Sequence, residues 1–530
     1  MAGPWWRDAV VYQVYPRSFA DSDASGEGDL QGIRSRLPYL ADLAVDAIWL
    51  NPFYTSPLHD SGYDVADYFD VDPRFGTLED FDALVTDAAA LKIRVIIDIV
   101  PNHCSSRHPW FQEAIIAGPG SDARERFIFR DSPNNWQSAF GGPAWTRTQD
   151  GQWYLHLFDS TQPDFNWRHP DVPAMFERVL RFWLDRGAAA IRIDMANTLF
   201  KDPELPDLPE DAPLAPYYDQ PELHQLYRSW RKILDSYPAG TFPGPRGAVA
   251  EIWFSSPGTV RPYLTKDGLP QTFNFRLTLV PWAAAELRAV IDEACELIKD
   301  SGGSMPWVLG NHDITRLVSR LGIDQALIRH PTDALKRGEA QVDVPMGTRR
   351  ARAAVLLLLA LPGTAYLYQG DELGLPEHYA IPASRREDPT FRRTGGAAVG
   401  RDGCRVPLPW SGTAPPYGFA SRPVRTWLPQ PTDWATLTVE AELSDPDSVL
   451  NLYRAATHLR REHPALGDGD MTWLESNPDE LAFTREPGFG FVANLGDKPI
   501  YLPAGSRILL ASGPIVNRGV PADTAVWLQH

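Results

Sequence analysis

Two ionisable side chains near the middle of this chain stand on one face of a short apolar strand. Arg192 and Asp194 are two residues apart in the segment AIRID, and side chains two apart in a strand point to the same side. A guanidinium beside a carboxyl group favours the carboxylate form. An ionised carboxylate held in this way can act as a nucleophile.

Two further carboxyl groups follow apolar segments of the same kind. Glu251 comes directly after AVA, and Asp313 follows WVLGNH. The residues Ile252, Trp253 and Phe254 give Glu251 apolar neighbours, which favour the protonated form that donates a proton. One ionised and one protonated carboxyl group about 5 Å apart are what a retaining glycosidase needs. The pattern is therefore compatible with cleavage of a glycosidic bond by double displacement.

The elements that must position these residues are short apolar runs separated by helical patterns. Near-continuous apolar strands between helices indicate a parallel sheet covered on both faces. Their number and spacing predict a (β/α)8 TIM barrel, in which catalytic groups follow the carboxyl ends of the strands. An isolated Asp after a strand is more often a cap or turn residue, so the hypothesis depends on order and context. The predicted strands cover residues 47–50, 93–100, 189–193, 248–252, 307–310 and 355–361.

One intervening helix is predicted from a capping pattern. Thr77 and Asp80 are three residues apart, as in a capping box. The apolar residues that follow recur at helical spacing; they are Phe81, Leu84, Val85, Ala88 and Leu91.

The domain organisation is predicted from changes in residue composition and hydrophobic pattern along the chain. Residues 104–168 are rich in Pro, Gly, Asn and Trp and predict a loop-rich lid domain inserted after the third strand. After about residue 467, short alternating strands predict a C-terminal antiparallel β-sandwich domain. Residues 1–103 and 169–466 are then the barrel, with irregular loops at 202–216 and 385–401.

Composition limits the partners and the compartment. The formal net charge of −18 argues against nucleic acid or an anionic membrane surface as partner, because both need a basic footprint. The N-terminal residues show no signal-peptide pattern, and the longest apolar run, 353–361, is shorter than the roughly 20 residues that span a bilayer. Cys104, Cys295 and Cys404 are few, odd in number and far apart. We therefore expect a cytoplasmic protein with a neutral substrate.

Four segments in the right order resemble the signatures of glycoside hydrolase family 13, the α-amylase family. They are DIVPNH (98–103), IRID (191–194), EIW (251–253) and NHD (311–313). The resemblance implies that Asp194 is the nucleophile, Glu251 the general acid/base, and Asp313 the carboxylate that grips glucose hydroxyls. It also implies the substrate ligands of subsite −1, which are Arg192, His103 and His312.

Further segments resemble the α-glucosidase and oligo-1,6-glucosidase branch of that family. They are YQVYPRSF, QPDFN (162–166), YLYQGDELGLP (366–376) and GRDGCRVPLPW (400–410). The branch implies a retaining, exo-acting α-glucosidase whose pocket is closed by an Asp–Arg pair. The matching residues are Asp64, next to Tyr63 in GYDV, and Arg401; Arg405 is the weaker candidate.

Two alternative functions and several properties stay open at this point. An α-glucosyltransferase or a sucrose or maltose isomerase would use the same covalent intermediate with a sugar hydroxyl as acceptor. A non-catalytic relative, such as a transporter heavy chain, would have a membrane anchor and lack the full set of carboxylates. In the branch, the residue after the nucleophile is often Val in enzymes for α-1,6 bonds and a smaller or hydroxylated residue in enzymes for α-1,4 bonds. Met195 matches neither pattern, and we slightly favour α-1,4 bonds and short substrates. The oligomeric state is not indicated.

The segment DSDASGEGD (21–29) offers oxygen ligands at alternate positions, as a hard cation needs. The resemblance implies a structural Ca²⁺ or Mg²⁺ site at Asp21, Asp23, Ser25, the Glu27 carbonyl and Asp29. Ser25 stands where the family usually has another Asp. The alternative is a loop of Asx turns that needs no metal. No organic cofactor is indicated.

Overall fold

The computed structural model describes residues 3–209, 215–253, 257–273, 275–299, 301, 303–327, 341–503 and 505–529. Phe254 and residues 210–214 of the 202–216 loop therefore lie outside the described residues. The strands are β1 Val10–Val14, β2 Ala47–Leu50, β3 Tyr54–Thr55, β4 Asp67–Val71, β5 Arg94–Ile99, β6 Phe129–Arg130, β7 Trp145–Arg147, β8 Trp153–Leu155, β9 Ala190–Ile193, β10 Gly247–Ala250, β11 Gln271–Thr272, β12 Pro306–Val308, β13 Thr364–Tyr368, β14 Thr472–Trp473, β15 Glu480–Arg485, β16 Phe489–Asn494, β17 Ile500–Tyr501, β18 Arg507–Ala511, β19 Gly519–Val520 and β20 Thr524–Gln529.

The helices lie mostly between the barrel strands. The α-helices are α1 Leu30–Ser35, α2 Leu37–Asp42, α3 Leu78–Ala90, α4 Pro109–Ala117, α5 Asp122–Glu125, α6 Asp171–Asp185, α7 Glu222–Asp235, α8 Pro257–Val260, α9 Arg276–Leu279, α10 Ala284–Ile298, α11 Leu317–Leu321, α12 Val344–Ala360, α13 Pro389–Arg393, α14 Val439–Ser444 and α15 Val449–Glu462. Short 3₁₀ turns occur at Trp5–Arg7, Pro16–Ser18, Arg261–Tyr263, Gln325–Leu327, Ala383–Arg385, Asp402–Cys404 and Trp434–Leu437. Within the described ranges, no helix has the length and apolar character needed to cross a membrane.

Eight parallel strands form the central sheet in the order β11-β10-β9-β5-β2-β1-β13-β12. Consecutive barrel strands pair from β1 to β11, and β12 pairs with β13, the eighth barrel strand, which returns to pair with β1, the first. That return pairing is what separates a closed barrel from an open sheet. The prediction of a (β/α)8 barrel is confirmed.

Helix α3 forms for the reason that the sequence indicates. The Thr77 side chain accepts from the Asp80 backbone N–H, and the Asp80 side chain accepts from the Thr77 backbone N–H, so the capping box is complete. Phe81, Leu84 and Ala88 are buried on one face. Leu91, by contrast, follows the helix and is exposed.

The apolar run 355–361 was wrongly predicted as a strand. It belongs to helix α12, and the eighth barrel strand is Thr364–Tyr368. Residues 353–360 are all buried, because the C-terminal sheet also packs on this helix: the indole N–H of Trp527 in β20 donates to the Leu356 carbonyl oxygen at 3.0 Å. A helix buried all round gives a continuous apolar run, which periodicity alone does not separate from a buried strand.

Two smaller β-layers surround the barrel. After β5, the third barrel strand, the chain forms α4, α5 and an antiparallel sheet in the order β6-β8-β7. The C-terminal strands form an antiparallel sheet in the order β14-β15-β16-β20-β18, with β17 and β19 pairing separately. The C-terminal antiparallel β-domain is confirmed. In the loop predicted at 385–401, the structure adds the short helix α13, which begins after Asp388 because that side chain accepts from the Thr390 backbone N–H.

Candidate active site

The predicted catalytic residues follow three of the barrel strands, at one end of the barrel. Asp194 comes directly after β9 and Glu251 directly after β10. Asp313 lies five residues after the end of β12, on the loop before α11. All three side chains face the same cavity, which is the end where barrel enzymes hold their catalytic groups.

Arg192, in β9, joins three carboxyl groups into what we call the Arg192 cluster. Its Nη1 lies 2.8 Å from Asp98 Oδ1 and 2.7 Å from Asp194 Oδ1, and its Nη2 lies 2.5 Å from Glu251 Oε2. Arg192 and Asp98 are fully buried, and Asp194 and Glu251 are nearly so. One guanidinium therefore holds the two predicted catalytic carboxyl groups side by side.

The Arg192 cluster retains protons more readily than exposed carboxyl groups do. Burial raises the pKa of Asp98 to about 7, against the lowering effect of Arg192. Burial likewise raises the pKa of Asp194 well above its ordinary value; Arg192 opposes the shift, and Glu251 and Asp98 add to it. Arg192 favours the carboxylate form of Asp194, as the sequence predicts, but burial and the two neighbouring carboxyl groups act against it. Such interacting groups titrate as a unit.

Three groups hold the Glu251 carboxyl group: the Arg192 guanidinium, the Trp253 indole and the Met195 backbone N–H. The Trp253 indole N–H donates to Glu251 Oε1 at 2.7 Å, and the Met195 backbone N–H donates to Oε2 at 3.1 Å. Trp253 is itself fixed by stacking on Phe275, with ring centroids 4.2 Å apart. Met195 has a φ of 44°, a left-handed conformation uncommon for such a residue, and this turn aims its N–H at Glu251.

A second group of charges, which we call the Arg401 cluster, surrounds Asp313. Arg401 Nη1 lies 3.0 Å and Arg405 Nη2 2.8 Å from Asp313 Oδ1, and His312 Nε2 lies 3.2 Å from Oδ2. Burial acts to raise the pKa of Asp313, but His312, Arg401 and Arg405 outweigh it and hold that pKa below its ordinary value. Asp313 is therefore an ionised carboxylate in the free protein. The remaining members of the cluster are Asp60 and Asp388.

The partner of Arg401 in the pocket wall is Asp60, and the prediction of Asp64 is wrong. Arg401 Nη2 lies 2.7 Å from Asp60 Oδ1, and Arg401 Nε lies 2.6 Å from Asp388 Oδ2. Asp64 is fully buried and accepts from the Ser56 hydroxyl and from the backbone N–H groups of two residues, one of them Asp60. Asp64 thus holds the loop that presents Asp60. The two carboxylates are four residues apart in HDSGYD, and only the fold shows which one faces Arg401.

The QPDFN segment fastens the inserted region to this wall. Gln162 Nε2 lies 3.1 Å from Asp60 Oδ2 and 3.1 Å from His103 Nε2. Asp164 is fully buried and pairs with Lys201 at 2.8 Å. Burial lowers the pKa of His103 to about 4, so this ring is neutral.

The two clusters line one cavity of about 220 Å³. One water needs roughly 10–15 Å³ on this measure, so the cavity has room for a small molecule and not merely for single waters. Aromatic rings lie beside the carboxyl groups, as in sites that take the apolar faces of sugars. The lining residues are Asp60, Tyr63, His103, Ala139, Phe140, Phe158, Asp194, Met195, Tyr218, Glu251, Trp253, Asp313 and Arg401.

Comparison with known proteins agrees with this geometry. Residues 13–469 match the alpha-amylase catalytic domain. The chain belongs to the α-amylase family. A probable alpha-glucosidase of Rhizobium meliloti is 37% identical over 91% of this chain and 87% of its own length. These matches show a glycoside hydrolase of the α-glucosidase branch.

Solved structures share the whole architecture. The crystal structure of an alpha-glucosyl transfer enzyme is 34% identical, with a TM-score of 0.85 over 99% of both chains. That of a trehalulose synthase mutant is 29% identical, with a TM-score of 0.86 over 100% of both chains. Both cover the barrel, the inserted region and the C-terminal sheet together.

In this member of the α-amylase family, several lining residues were not predicted as site residues from the sequence. Asp60 lines the cavity, and Asp98 lies buried behind it against Arg192. Both stand in sequence motifs, HDSGYD and DIVPNH, but the sequence predicted no contact for either carboxyl group. The aromatic residues Phe140, Phe158 and Tyr218 come from loops without periodicity, where the sequence gives no signal of what they face.

The loop 21–29 of this α-amylase family member gathers the predicted metal ligands. One carboxylate oxygen from each of Asp21, Asp23 and Asp29 lies within 4.8 Å of the others. The Ser25 hydroxyl donates to the Glu27 carbonyl oxygen at 3.2 Å, and backbone N–H groups of the loop donate to Asp21. The donor set is all oxygen and partly buried, which fits a hard cation in type.

Proposed function

We propose that this protein is a retaining, exo-acting α-glucosidase that releases glucose from the non-reducing end of short α-glucosides. The observation that carries the proposal is the sharing of the Arg192 guanidinium by Asp194 and Glu251. Two carboxyl groups bound to adjacent nitrogens of one guanidinium favour the short separation, about 5 Å, of retaining enzymes. Inverting enzymes need a wider gap, because a water must fit between the pair and the sugar.

In the first step, a carboxylate oxygen of Asp194 attacks the anomeric carbon of the terminal glucose. The bond from that carbon to the glycosidic oxygen breaks as Glu251 transfers its proton to the departing oxygen. In the second step, Glu251 takes a proton from water, whose oxygen displaces Asp194 from the anomeric carbon. Glucose leaves with its α configuration, and both carboxyl groups return to their starting forms.

Burial raises the pKa values of Asp98 and Asp194, so these two carboxyl groups retain protons more readily than exposed ones do. Both lie on the same guanidinium as Glu251, the group that donates the proton in this cycle. The leaving oxygen of a bound glucoside favours that proton on Glu251. Asp194 is then left with the Arg192 guanidinium at 2.7 Å as its counter-ion.

The other side of the cavity binds the glucose ring. Asp313 is ionised and accepts hydrogen bonds from sugar hydroxyls, while His103 and His312 are neutral and donate or accept one each. Tyr63 presents a ring face to the sugar. These are the roles that the family resemblance implies for subsite −1.

Exo action follows from Arg401 and Asp60. Arg401 spans Asp60, Asp388 and Asp313, and its guanidinium lies 4.7 Å from the ring centre of Phe140 in the inserted region. This wall closes the cavity behind the terminal glucose, so a chain cannot pass through it.

The test is a panel of α-linked glucose disaccharides and a maltooligosaccharide, followed by ¹H NMR from the first minutes. We expect α-glucose as the first product and the best rates on short substrates. Met195 leaves the bond preference to this measurement, and we propose α-1,4 bonds such as that of maltose. Early β-glucose would overturn the retaining mechanism, and early internal cleavage products would overturn the closed pocket.

A second candidate function is α-glucosyl transfer, including isomerisation of a disaccharide. It is favoured by the similarity, over 99% of both chains, to a structure named as an alpha-glucosyl transfer enzyme. The aromatic residues Phe158, Tyr218 and Trp253 line the same cavity as Glu251 and offer ring faces to an acceptor sugar. The same NMR time course decides between the two, because transfer gives new disaccharide signals that grow before free glucose does.

We propose that the 21–29 loop holds Ca²⁺ or Mg²⁺ and that the ion acts on stability. Its ligands would be Asp21, Asp23, Asp29 and the Glu27 carbonyl, with Ser25 as a neutral fifth. A ligand that binds only the folded state stabilises it, so a chelator should lower the melting temperature and leave the initial rate at 25 °C nearly unchanged. Asp29→Ala should show the lower melting temperature without chelator and no further response. An identical wild-type melting curve with and without chelator would support the Asx-turn alternative.

We also propose that the protein works in the cytoplasm. The three cysteines are free: Cys104 and Cys404 are buried, and Cys295 is partly buried. A chain with no paired cysteines suits a reducing compartment. Fractionation of the source cells should recover the activity with cytoplasmic markers, and recovery in the medium or periplasm would contradict this.

A further inference from the structure

A chain of buried polar side chains crosses the barrel from the Arg192 cluster to the Arg401 cluster. The Tyr63 hydroxyl lies 2.8 Å from Asp98 Oδ2, and Asn51 Nδ2 lies 2.7 Å from the Tyr63 hydroxyl. Gln13 Nε2 lies 2.8 Å from Asn51 Oδ1 and 2.8 Å from His312 Nδ1. Gln13 is 1% exposed, so no water competes for these bonds. A buried amide in the apolar strand VVYQV therefore connects directly to a ring in the sugar subsite.

The direction of every hydrogen bond in this chain is fixed from the Asp98 end. Asp98 Oδ2 also faces Arg192 Nη1 at 3.1 Å and Trp49 Nε1 at 3.3 Å, and both of these groups can only donate. An oxygen that already accepts from two donors is not the one that carries a proton of the Asp98 carboxyl group, and the Tyr63 hydroxyl donates to it. The hydroxyl lone pair then accepts from the NH₂ of Asn51, which turns the Asn51 carbonyl towards Gln13.

The same logic continues to the histidine. Gln13 must present its NH₂ to the Asn51 carbonyl, and that NH₂ has a second hydrogen, which points to His312 Nδ1. Nδ1 is therefore an acceptor without a proton. In a neutral imidazole the proton must then be on Nε2, because the bond made by one ring nitrogen sets the state of the other.

His312 is neutral in its surroundings. Burial lowers its pKa well below the ordinary value; Asp313 acts to raise that pKa, while Arg405, Arg192 and Arg401 lower it further. The ring is also stacked on Tyr63, with centroids 5.3 Å apart and planes 7° apart. With one proton on the ring and the plane fixed, the remaining freedom of His312 is the choice of nitrogen.

We propose that Gln13 is a positioning residue that fixes His312 in the tautomer with its proton on Nε2. That N–H lies 3.2 Å from Asp313 Oδ2 and faces the cavity side where, on the proposed function, the glucose hydroxyls bind. In the other tautomer, a bare Nε2 lone pair would face the Asp313 carboxylate and repel it. Gln13 touches neither substrate nor the reacting atoms, and its effect passes entirely through His312.

The decisive variant is Gln13→Glu, which replaces the donor at Nδ1 with an acceptor of the same length. When the new carboxyl group and the ring share a proton, His312 keeps its N–H at Nε2. Once that proton is lost at higher pH, Nδ1–H must donate to the carboxylate, and Nε2 is left bare. We expect kcat/KM to be near the wild-type value at low pH and to fall roughly 10- to 100-fold as the pH rises, the range for loss of a hydrogen bond to a charged partner. Gln13→Met should lose a similar factor at every pH.

The matched control is Gln271→Glu. Gln271, the first residue of β11, is also buried. Its Nε2 lies within hydrogen-bond distance of the Trp6 carbonyl oxygen and of the hydroxyls of Ser304 and Thr364. It is away from His312, so Gln271→Glu should lower the melting temperature without changing the shape of the pH profile. Equal pH profiles for Gln13→Glu and Gln271→Glu would reduce Gln13 to a structural residue and overturn the proposal.

A readout independent of activity separates this proposal from the proposed function. Neutron diffraction from the unliganded wild-type protein near neutral pD should show deuterium on His312 Nε2 and none on Nδ1. Deuterium on Nδ1 would overturn the tautomer assignment even if the enzyme were an α-glucosidase. Deuterium on Nε2 together with no hydrolysis of any α-glucoside would leave the assignment intact and remove the proposed function.

Discussion

The two charge clusters of the cavity differ in the ratio of acids to cations. In the Arg192 cluster, three carboxyl groups surround one guanidinium, and the pKa values of Asp98 and Asp194 are raised. In the Arg401 cluster, three carboxyl groups face two guanidinium groups, and the pKa values of Asp313 and Asp388 are lowered. Burial is similar on both sides, so the count of cations makes the difference.

This contrast places proton transfer at the Arg192 cluster and sugar binding at the Arg401 cluster. We call these two sides of the cavity its walls. A wall that retains a proton suits bond cleavage, whereas a wall of ionised carboxylates suits grip on hydroxyl groups. Asp60 is the exception within the Arg401 cluster: burial raises its pKa to about 6, and Arg401 only partly offsets this. The charges of Asp388 and Asp64 add to this rise, whereas Asp388 also accepts from the backbone N–H groups of Arg401 and Thr390.

The largest effect should come from exchanging one carboxyl group on each wall for an amide. Asp194→Asn should lower kcat/KM by roughly 10⁴- to 10⁶-fold, as removal of a nucleophile does. Asp313→Asn keeps the nucleophile and loses only charge stabilisation, so a smaller loss, about 10²- to 10³-fold, is expected. Steady-state rates on maltose, with circular dichroism to verify folding, measure both. Equal losses would remove the distinction between the walls.

Glu251→Gln should separate proton donation from nucleophilic attack. The variant has no proton to give, so a substrate with a good leaving group should suffer far less than maltose. We expect the ratio of nitrophenyl glucoside to maltose activity to rise about 10²-fold or more, the range for general acid catalysis. The matched comparison is Asp194→Asn, for which the ratio should stay near its wild-type value. An unchanged ratio for Glu251→Gln would contradict its role.

Breaking the wall behind the glucose should have the next largest effect. Arg401→Ala leaves Asp60, Asp313 and Asp388 without their shared cation, and loss of one partner of a buried pair costs about 3–5 kcal/mol. We expect kcat/KM on maltose to fall about 10²-fold. Longer products should appear from maltooligosaccharides in chromatographic time courses. Arg393→Ala is the control, because Arg393 donates to the Gly141 carbonyl in the inserted region and does not line the cavity.

Asp60 and Asp64 give a finer test of the same wall. Asp60→Asn should raise KM for maltose more than it lowers kcat, because Asp60 pairs with Arg401 at the sugar. Asp64→Asn should instead lower the melting temperature, since Asp64 accepts from backbone groups of its own loop. The opposite pattern would restore Asp64 as the wall residue.

The sequence predicted the barrel and the four catalytic signatures because these depend on local order. Most of the strands are short apolar runs, and Asp194 and Glu251 each follow one directly, while Asp313 comes five residues after β12. It did not place the first, sixth or eighth strand, and it took the buried second half of helix α12 for a strand. Nor did it choose between Asp60 and Asp64, because the choice depends on contacts with Arg401, more than 300 residues away. Gln13 stands in the segment YQVYPRSF that resembles the branch, but the sequence predicted neither strand β1 nor a contact with His312.

The smallest effects, on stability, should have opposite pH dependence on the two walls. The pKa of Asp388 is lowered to about 2 from 3.8, so its contribution, roughly 2 kcal/mol, is present above pH 3.8 and lost as the pH falls towards 2. The pKa of Asp98 is raised to about 7, so its contribution is full below pH 3.8 and is lost as the pH rises through 7.

Urea unfolding of two variants from pH 5 to 8 measures this. Asp388→Asn should be less stable than wild type by a constant amount across the range. The free energy of unfolding of Asp98→Asn, relative to that of the wild type, should increase as the pH rises towards 7. Parallel curves for the two variants would show that the walls do not differ in protonation.

The most direct test of the account is to trap the intermediate. A fluorinated α-glucosyl fluoride, which forms the glycosyl-enzyme but slows its hydrolysis, should inactivate the protein with one sugar per chain. Mass spectrometry of the digested protein should place that sugar on Asp194, the carboxyl group that shares Arg192 with Glu251. A sugar on Asp98 or Asp313 would contradict the assignment of the walls. Turnover without any covalent sugar, giving β-glucose, would contradict the retaining mechanism itself.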